Sequence, residues 1–253
     1  MPSTLTVTTN ADSGLGSLRA EIAAAKSGDT VVFSAGLDGY TINLTSRELN
    51  ITKNLTIQGP GANLLTISSG PYYVNKTRIF EVDSATVTLS GLRIINGGGH
   101  ASIYGDYSYD GWGGGILNRD GTLRVSGCTL YNNSAVYGGG IYNAGTLTVS
   151  SCGMFSNSAE NDGGGILNDY GTATVSGCTL SGNSAVSGGG GIYNYGTATV
   201  SGCTLSGNTA YSGGGIDNAG SQLELMVSNS IFSSNTSDNI NGPYTDGGGN
   251  AFH

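Results

Sequence analysis

Charged residues, proline and long hydrophobic runs are scarce in this sequence of 253 residues. Only 10% of the residues are charged and four are proline, whereas glycine occurs 45 times. No apolar run approaches the roughly 18 residues of a membrane span, so membrane insertion by this segment is not expected. A hydrophobic content of 37% is nevertheless too high for a disordered chain. A folded chain that uses its glycine periodically is therefore predicted.

Basic residues are missing from the second half. All nine lysines and arginines lie at or before Arg124, whereas seven acidic residues follow it and the formal net charge is −8. Such a surface cannot neutralise a phosphate backbone, so nucleic-acid binding is not expected. Acidic polymers should also be repelled by the second half.

A repeat of about 25 residues fills the second half. Consecutive units read GGGILNRDGTLRVSGCTLYNNSA, GGGIYNAGTLTVSSCGMFSNSA, GGGILNDYGTATVSGCTLSGNSA and GGGIYNYGTATVSGCTLSGNTA. Apolar and polar residues alternate within each unit, as expected of strands. One unit is too small to bury its own apolar face, so the units must stack. Because parallel crossovers are right-handed, the pattern predicts an all-β, right-handed parallel β-helix, a solenoid.

The sequence divides this solenoid into segments. Residues 17–26 predict an N-terminal capping α-helix in which Ser17 is the N-cap and Leu18, Ile22 and Ala25 form an apolar stripe. We expect a single β-helix domain over 1–253, made of irregular early coils, a corner insertion and regular coils, at 30–96, 97–112 and 113–240. In the early coils, five residues are expected to occupy the places of Ile116, Leu123, Val125, Cys128 and Leu130. They are Phe80, Val87, Leu89, Leu92 and Ile94.

The opening TVTTNADSGLGSLRAEIAAAKSGDTVVF and the following GGGI and TLSGNSA motifs resemble bacterial surface β-helix proteins with polymorphic outer-membrane-protein repeats of the chlamydial type. The paired signatures of that family are matched closely by Gly139-Gly140-Ile141 with Phe155-Ser156-Asn157. The resemblance implies a secreted or cell-surface location and an adhesin-like or passenger-like role. Because similar coils also build pectate-lyase-like enzymes, it says little about activity. The first ten residues lack the features of a secretory signal, so the export signal and the anchor are expected outside this sequence.

Four cysteines, at positions 128, 152, 178 and 203, lie in phase with inward aliphatic residues. They are interpreted as buried free thiols that pack as small hydrophobes, rather than as disulfides or zinc ligands. On this interpretation, Cys178→Ser should cost about 1 to 3 kcal/mol through an imperfectly paired hydroxyl. Two columns of asparagine are predicted to stack as amide ladders and to accept left-handed turn geometry. The GGG triplets are interpreted as tight turns rather than phosphate loops.

Outward threonines form ranks on one predicted sheet. They include Thr146, Thr148, Thr172, Thr174, Thr197 and Thr199. A regular T-x-T array resembles the face of ice-binding β-helices, but β-branched polar residues also suit any solvent-facing parallel sheet. Since the array is narrow, ice binding is kept only as a second alternative function.

The corner before each GGG triplet is the predicted functional site. Around the insertion it holds Trp112, Tyr137 and Tyr107, whose rings could stack on sugars, and Asp106, Asp110 and Asp162, which could accept hydroxyl hydrogen bonds or hold calcium. No other cofactor is expected. Asp110 and Asp162 could also form a carboxylate pair of a hydrolase, although no catalytic residue is assigned.

Three function classes therefore stay open. The first is a non-enzymatic extracellular or cell-surface module that binds glycans or host-surface components. The second is a polysaccharide lyase or hydrolase of pectate-lyase-like fold; a lyase would have to recruit Arg93, Arg119 or Arg124, since no basic residue follows them. The third is ice binding.

Overall fold

A computed structural model describes residues 1–70, 77–99, 111–220 and 224–253. Short strands stack in register along one axis and form a parallel β-helix of about eight turns. Inward side chains from successive turns build one continuous apolar core. The predicted all-β solenoid fold is confirmed.

Three sheets run along this axis. Sheet 1 contains 16 strands: Thr4–Val7, Asp29–Phe33, Leu49–Ile51, Leu55–Gln58, Phe80–Asp83, Thr86–Ser90, Ile116–Arg119, Thr122–Ser126, Ile141–Asn143, Thr146–Ser150, Ile166–Ser176, Ile192–Ser201, Ile216–Asn218, Leu225–Ser228, Ile240–Asn241 and Thr245–Asp246. Sheet 2 contains nine: Thr41–Asn43, Thr66–Ser68, Arg93–Ile95, Thr129–Tyr131, Gly153–Phe155, Thr179–Ser181, Thr204–Ser206, Ile231–Ser233 and Ala251–Phe252. Sheet 3 contains four: Gly98–Gly99, Ser134–Ala135, Ser158–Ala159 and Ser184–Ala185.

Sheet 1 consists of two lanes. The first lane stacks strands equivalent to Ile116–Arg119, and the second lane stacks those equivalent to Thr122–Ser126. The lanes merge where one long strand, such as Ile166–Ser176, continues through the bend between them. A turn of the solenoid passes through lane one, lane two and sheet 2, and in four of the described turns it also passes through sheet 3 before it returns to lane one.

The early coils follow the same register as the later ones. Phe80 pairs with Ile116, Val87 with Leu123, Leu89 with Val125, and Ile94 with Leu130, as the sequence predicted. Parallel pairing also continues beyond the predicted end of the regular coils at 240, through the strand Ala251–Phe252.

The described ends of the corner insertion belong to the regular coil. Gly98–Gly99 pairs with Ser134–Ala135, and Trp112 forms a parallel bridge with Tyr137. The described residues at both ends of the predicted insertion over 97–112 therefore keep the backbone pairing of the solenoid.

The capping helix spans Leu18–Ala24 and is shorter than the predicted 17–26. Ser17 is the N-cap, and its Oγ accepts a hydrogen bond from the backbone N–H of Ala20. At the other end, the Lys53 ammonium donates to the carbonyl oxygens of residues 22, 23 and 25 at 3.2, 3.1 and 2.8 Å. A cation in that position stabilises the helix end, where carbonyls lack partners within the helix. A short 3₁₀ helix follows at Ala35–Leu37.

The two asparagine columns form buried amide ladders, as predicted. In the first, the Nδ2 of Asn118 donates to the Oδ1 of Asn143 at 2.6 Å, and this contact repeats through Asn168, Asn194 and Asn218. The second ladder runs through Asn133, Asn157, Asn183, Asn208 and Asn235. The positive φ angles fall one residue before the second ladder, at positions such as Asn132 and Gly182. The ladder asparagines were therefore wrongly expected to adopt the left-handed geometry themselves.

The four cysteines are free and buried, which confirms the inward assignment. They also act as hydrogen-bond partners, which the sequence interpretation did not include. The Sγ of Cys178 accepts the backbone N–H of Cys152 at 3.4 Å and donates to the carbonyl oxygen of Ser176 at 3.2 Å. Ser230 continues the column, because its Oγ accepts the N–H of Cys203 at 3.1 Å and donates to the carbonyl oxygen of Ser228 at 2.9 Å.

Candidate functional site

The middle residue of each Ile-x-Asn motif faces outward from lane one. Since Ile and Asn point into the core, strand alternation places this residue on the outer surface. The stacked outward residues are Leu117, Tyr142, Leu167, Tyr193 and Asp217. Four of these five residues are apolar or aromatic, so other residues are expected to shield the column from water.

The residue before each glycine triplet partly supplies that cover. The corner column contains Trp112, Tyr137, Asp162, Gly188 and Ser212, held in order by backbone pairing across the coils. The first glycine of each triplet has a positive φ, as at Gly138 with 66°. This left-handed turn reverses the chain tightly and brings each corner residue beside the lane-one column.

A cleft of about 300 Å³ lies between these two columns. It is lined by Trp112, Tyr137, Tyr142, Asp162, Leu167, Asp169, Tyr193 and Tyr195. Beneath it, Leu117, Tyr142 and Leu167 form a small apolar cluster separate from the solenoid core. The cleft therefore has a packed floor that is built on regular strands.

Trp112 stacks on Tyr142. Their ring centroids are 4.6 Å apart and the ring planes differ by 14°. Tyr142 is only 3% exposed, and its hydroxyl donates a hydrogen bond to an Oδ of Asp169. Trp112 and Tyr137 are half-buried and border the open cleft. Tyr142 thus supports Trp112 from below, and Trp112 and Tyr137 are the rings available to a ligand at this end.

Carboxylates surround the other end of the cleft. The Oδ1 of Asp162 accepts the backbone N–H of Gly188 at 2.9 Å. Burial raises the pKa of Asp162, the hydrogen bond from Gly188 opposes that rise, and the charge of Asp217 adds to it. Burial, followed by the charges of Asp162 and Asp217, raises the pKa of Tyr193 to about 12. This end therefore carries a negative potential around a neutral phenol.

The predicted site residues divide into two groups. Trp112, Tyr137 and Asp162 line one cleft. Asp106, Tyr107 and Asp110 lie outside the described residues, and so does the proposed Asp110–Asp162 pair. The part of the chain that is described contains no group of three or more histidine, cysteine or acidic side chains that could hold a metal ion.

Sequence reasoning missed most of the cleft. Tyr142, Tyr193 and Tyr195 line it together with Leu167 and Asp169. A signal was present, because an apolar residue between inward Ile and inward Asn breaks the expected alternation of apolar and polar positions. Such an outward apolar residue indicates a covered surface.

The threonines of the ice-binding alternative and the arginines of the lyase alternative lie outside the cleft. The threonine ranks occupy lane two, with Thr146, Thr172 and Thr197 exposed and in register. Arg119 pairs with Asp83, and Arg93 lies over the ring of Tyr131 at 5.6 Å. None of the three arginines needed for a lyase is among the cleft-lining residues.

Helices that could cross a membrane are not found within the described ranges. The one α-helix described there has seven residues, far fewer than the roughly 20 needed to span a bilayer.

Comparisons with known proteins concern the fold of this chain. No curated protein matches it. Among solved structures, a pectin methylesterase variant in complex with a hexasaccharide matches with 15% identity and a TM-score of 0.48, covering 95% of this chain and 80% of its own. The pectate lyase Pel9A matches with 14% identity and a TM-score of 0.48, covering 98% of this chain and 78% of its own. The ORF18 protein of Geobacillus virus E2 matches with 14% identity and a TM-score of 0.46, covering 98% of this chain and 60% of its own.

The family model described as "Right handed beta helix region" matches residues 40–210, about two thirds of the sequence. The match agrees with the stacked parallel lanes and assigns their handedness. This chain belongs to the right-handed β-helix family.

Proposed function

We propose that this protein is a non-enzymatic, extracellular or cell-surface module that binds a glycan in the cleft between Trp112 and Tyr195. The observation that supports this most is the open aromatic cleft on a regularly paired lane of the solenoid. Aromatic rings offer flat apolar faces to the C–H faces of sugars, and carboxylates accept hydrogen bonds from sugar hydroxyls.

The charge of the cleft narrows the class of glycan. Asp162 and Asp169 line it, and no lysine or arginine is among its lining residues. A uronate polymer would meet like charge there and would need calcium to bridge it. The expected ligand is therefore a glycan without anionic groups.

The enzyme alternative has weaker support. Arg119, one of its candidate bases, is engaged by Asp83 and Glu81 outside the cleft. Asp169, one of two carboxylates in the cleft, accepts a hydrogen bond from buried Tyr142. These contacts suit a structural and binding role. Release of reducing ends from a bound polysaccharide would nevertheless replace the binding proposal by a hydrolase.

Fluorescence of the single tryptophan provides a direct test. Because Trp112 lies in the cleft and no second tryptophan exists, a change in emission on sugar addition reports this site. A glycan array with and without calcium would first select the ligand and test the calcium hypothesis. Trp112→Ala should then abolish binding measured by calorimetry, and loss of its stacking on Tyr142 should lower the free energy of unfolding by about 1 to 3 kcal/mol.

The matched control is Tyr211→Ala. Tyr211 is 87% exposed and does not line the cleft, so its removal should leave affinity unchanged. Equal loss of binding in both variants, or full binding by Trp112→Ala, would contradict the proposed site.

A further inference from the structure

Carboxyl groups are concentrated at one end of the cleft, and a neutral sugar would not use their negative charge. Asp162 and Asp169 line the cleft, and Asp217 is the neighbour of Tyr193 in the lane-one column. Asp217 is 5% exposed, and its Oδ1 accepts a hydrogen bond from the Nδ2 of Asn241 at 2.9 Å. Three carboxyl groups therefore act on one part of the cleft, in a half of the chain that has no lysine or arginine to neutralise them.

The charges of these three carboxyl groups all act on Tyr193. It stands beside Leu167 and Asp217 in lane one, half-buried, and lines the cleft. The corner column has no side chain here, because the residue is Gly188. A Cβ at Gly188 would lie 3.0 Å from Cδ2 and Cε2 of Tyr193 and would also collide with the Asp217 carboxylate. Glycine at this position therefore lets the corner backbone approach the Tyr193 ring and the Asp217 carboxylate closely, without a side chain between them.

An aromatic face combined with nearby carboxylates is the chemistry that binds organic cations. A ring attracts a cation through its quadrupole, and carboxylates add charge attraction and accept N–H hydrogen bonds. A bare metal ion would instead require several oxygen ligands in one shell. No suitable cluster occurs in the described part of the chain.

We propose that the Tyr193 end of the cleft selects a sugar that carries a protonated amino group, so that the glycan class is an amino-sugar polymer with free amines. This inference rests on the proposed function, since it names the charge of the glycan that the same cleft takes. Trp112 and Tyr137 would hold neighbouring sugar rings, while Asp162, with one oxygen oriented by Gly188, would face the ammonium group.

The test compares three oligosaccharides of equal length by tryptophan fluorescence. They are a glucosamine oligomer, its fully N-acetylated counterpart and a cello-oligosaccharide, titrated at about pH 6, above the ordinary pKa of a carboxyl group and below that of an amine. We expect the free-amine oligomer to bind about tenfold more tightly than the other two. Added salt should reduce this preference in the unmodified protein, because charge attraction is screened.

The matched variants are Asp162→Asn and Asp238→Asn, which each remove one negative charge. Asp162→Asn keeps an oxygen for the Gly188 N–H and should lose most of the preference for the free amine. Asp238→Asn changes an exposed residue that does not line the cleft, so this variant should keep the preference for the free amine.

Equal binding of all three sugars, or tighter binding of the acetylated one, would overturn the amino-sugar proposal and leave the glycan-binding function standing. Absence of binding by all three and throughout the glycan array would overturn both.

Discussion

Replacement of Cys178 tests whether the thiol column acts only as packing or also as a hydrogen-bond ladder. The Sγ of Cys178 accepts the backbone N–H of Cys152 and donates to the carbonyl oxygen of Ser176. Ser230 holds the equivalent position two coils further on, where its hydroxyl makes both contacts. A hydroxyl at position 178 would therefore have partners, contrary to the expectation drawn from the sequence.

The two substitutions at this position should differ clearly in stability. Cys178→Ser keeps an acceptor for the Cys152 N–H and should cost less than about 1 kcal/mol. Cys178→Ala leaves that N–H buried without an acceptor and should cost about 1 to 3 kcal/mol for the unsatisfied donor. Loss of the sulfur also opens a small cavity, which adds to the cost of alanine. Alanine should therefore be the more damaging change, although it is the more apolar one.

Equilibrium unfolding in urea measures this difference. The midpoint should fall further for Cys178→Ala than for Cys178→Ser, with the slope of free energy against denaturant unchanged in both. If alanine is as stable as serine, or more stable, the thiols contribute by packing alone and the ladder interpretation is refuted. Cys152 gives an independent check, since contacts with neighbouring thiols together with burial raise its pKa. It should react slowly with a thiol reagent in the folded protein and rapidly after unfolding.

Three further predictions concern other parts of the solenoid. Asn183→Ala breaks four side-chain hydrogen bonds in the core and should cost at least about 3 kcal/mol in urea unfolding, whereas Asn10→Ala at an exposed site should be nearly neutral. Burial raises the pKa of Asp162, so ionisation of this carboxyl group disfavours folding. Asp162→Asn should therefore raise the melting temperature at neutral pH, and this increase should disappear at pH values below the ordinary pKa range of carboxyl groups. An equal increase at every pH would contradict the prediction. Lys53→Met removes the cation from the helix end and should cost about 1 kcal/mol, while Lys26→Met, a change at an exposed lysine, should have little effect on the unfolding midpoint.

The fold was predictable because its physical rule is local and repeated. Alternation within each unit assigns the inward residues, and the 25-residue period requires successive units to stack in register. The pairing of Phe80 with Ile116, across a looser part of the repeat, follows from the same rule. The Ser17 N-cap was equally readable, because capping depends on residues close in the sequence. The end of that helix was not, since Lys53 reaches it from another coil.

The sequence by itself determined the solenoid, its core and the corner column that contains Trp112, Tyr137 and Asp162. Only the tertiary structure showed that the glycine turn brings this column against the outward residues of lane one. Tyr193 and Asp162 are 31 positions apart and meet only because two coils stack and one corner folds back. Contacts of this kind depend on the angle of the turn and on the absence of a side chain at Gly188, and neither is encoded in the period of the repeat. The cleft and the negative charge around it therefore belong to the tertiary structure.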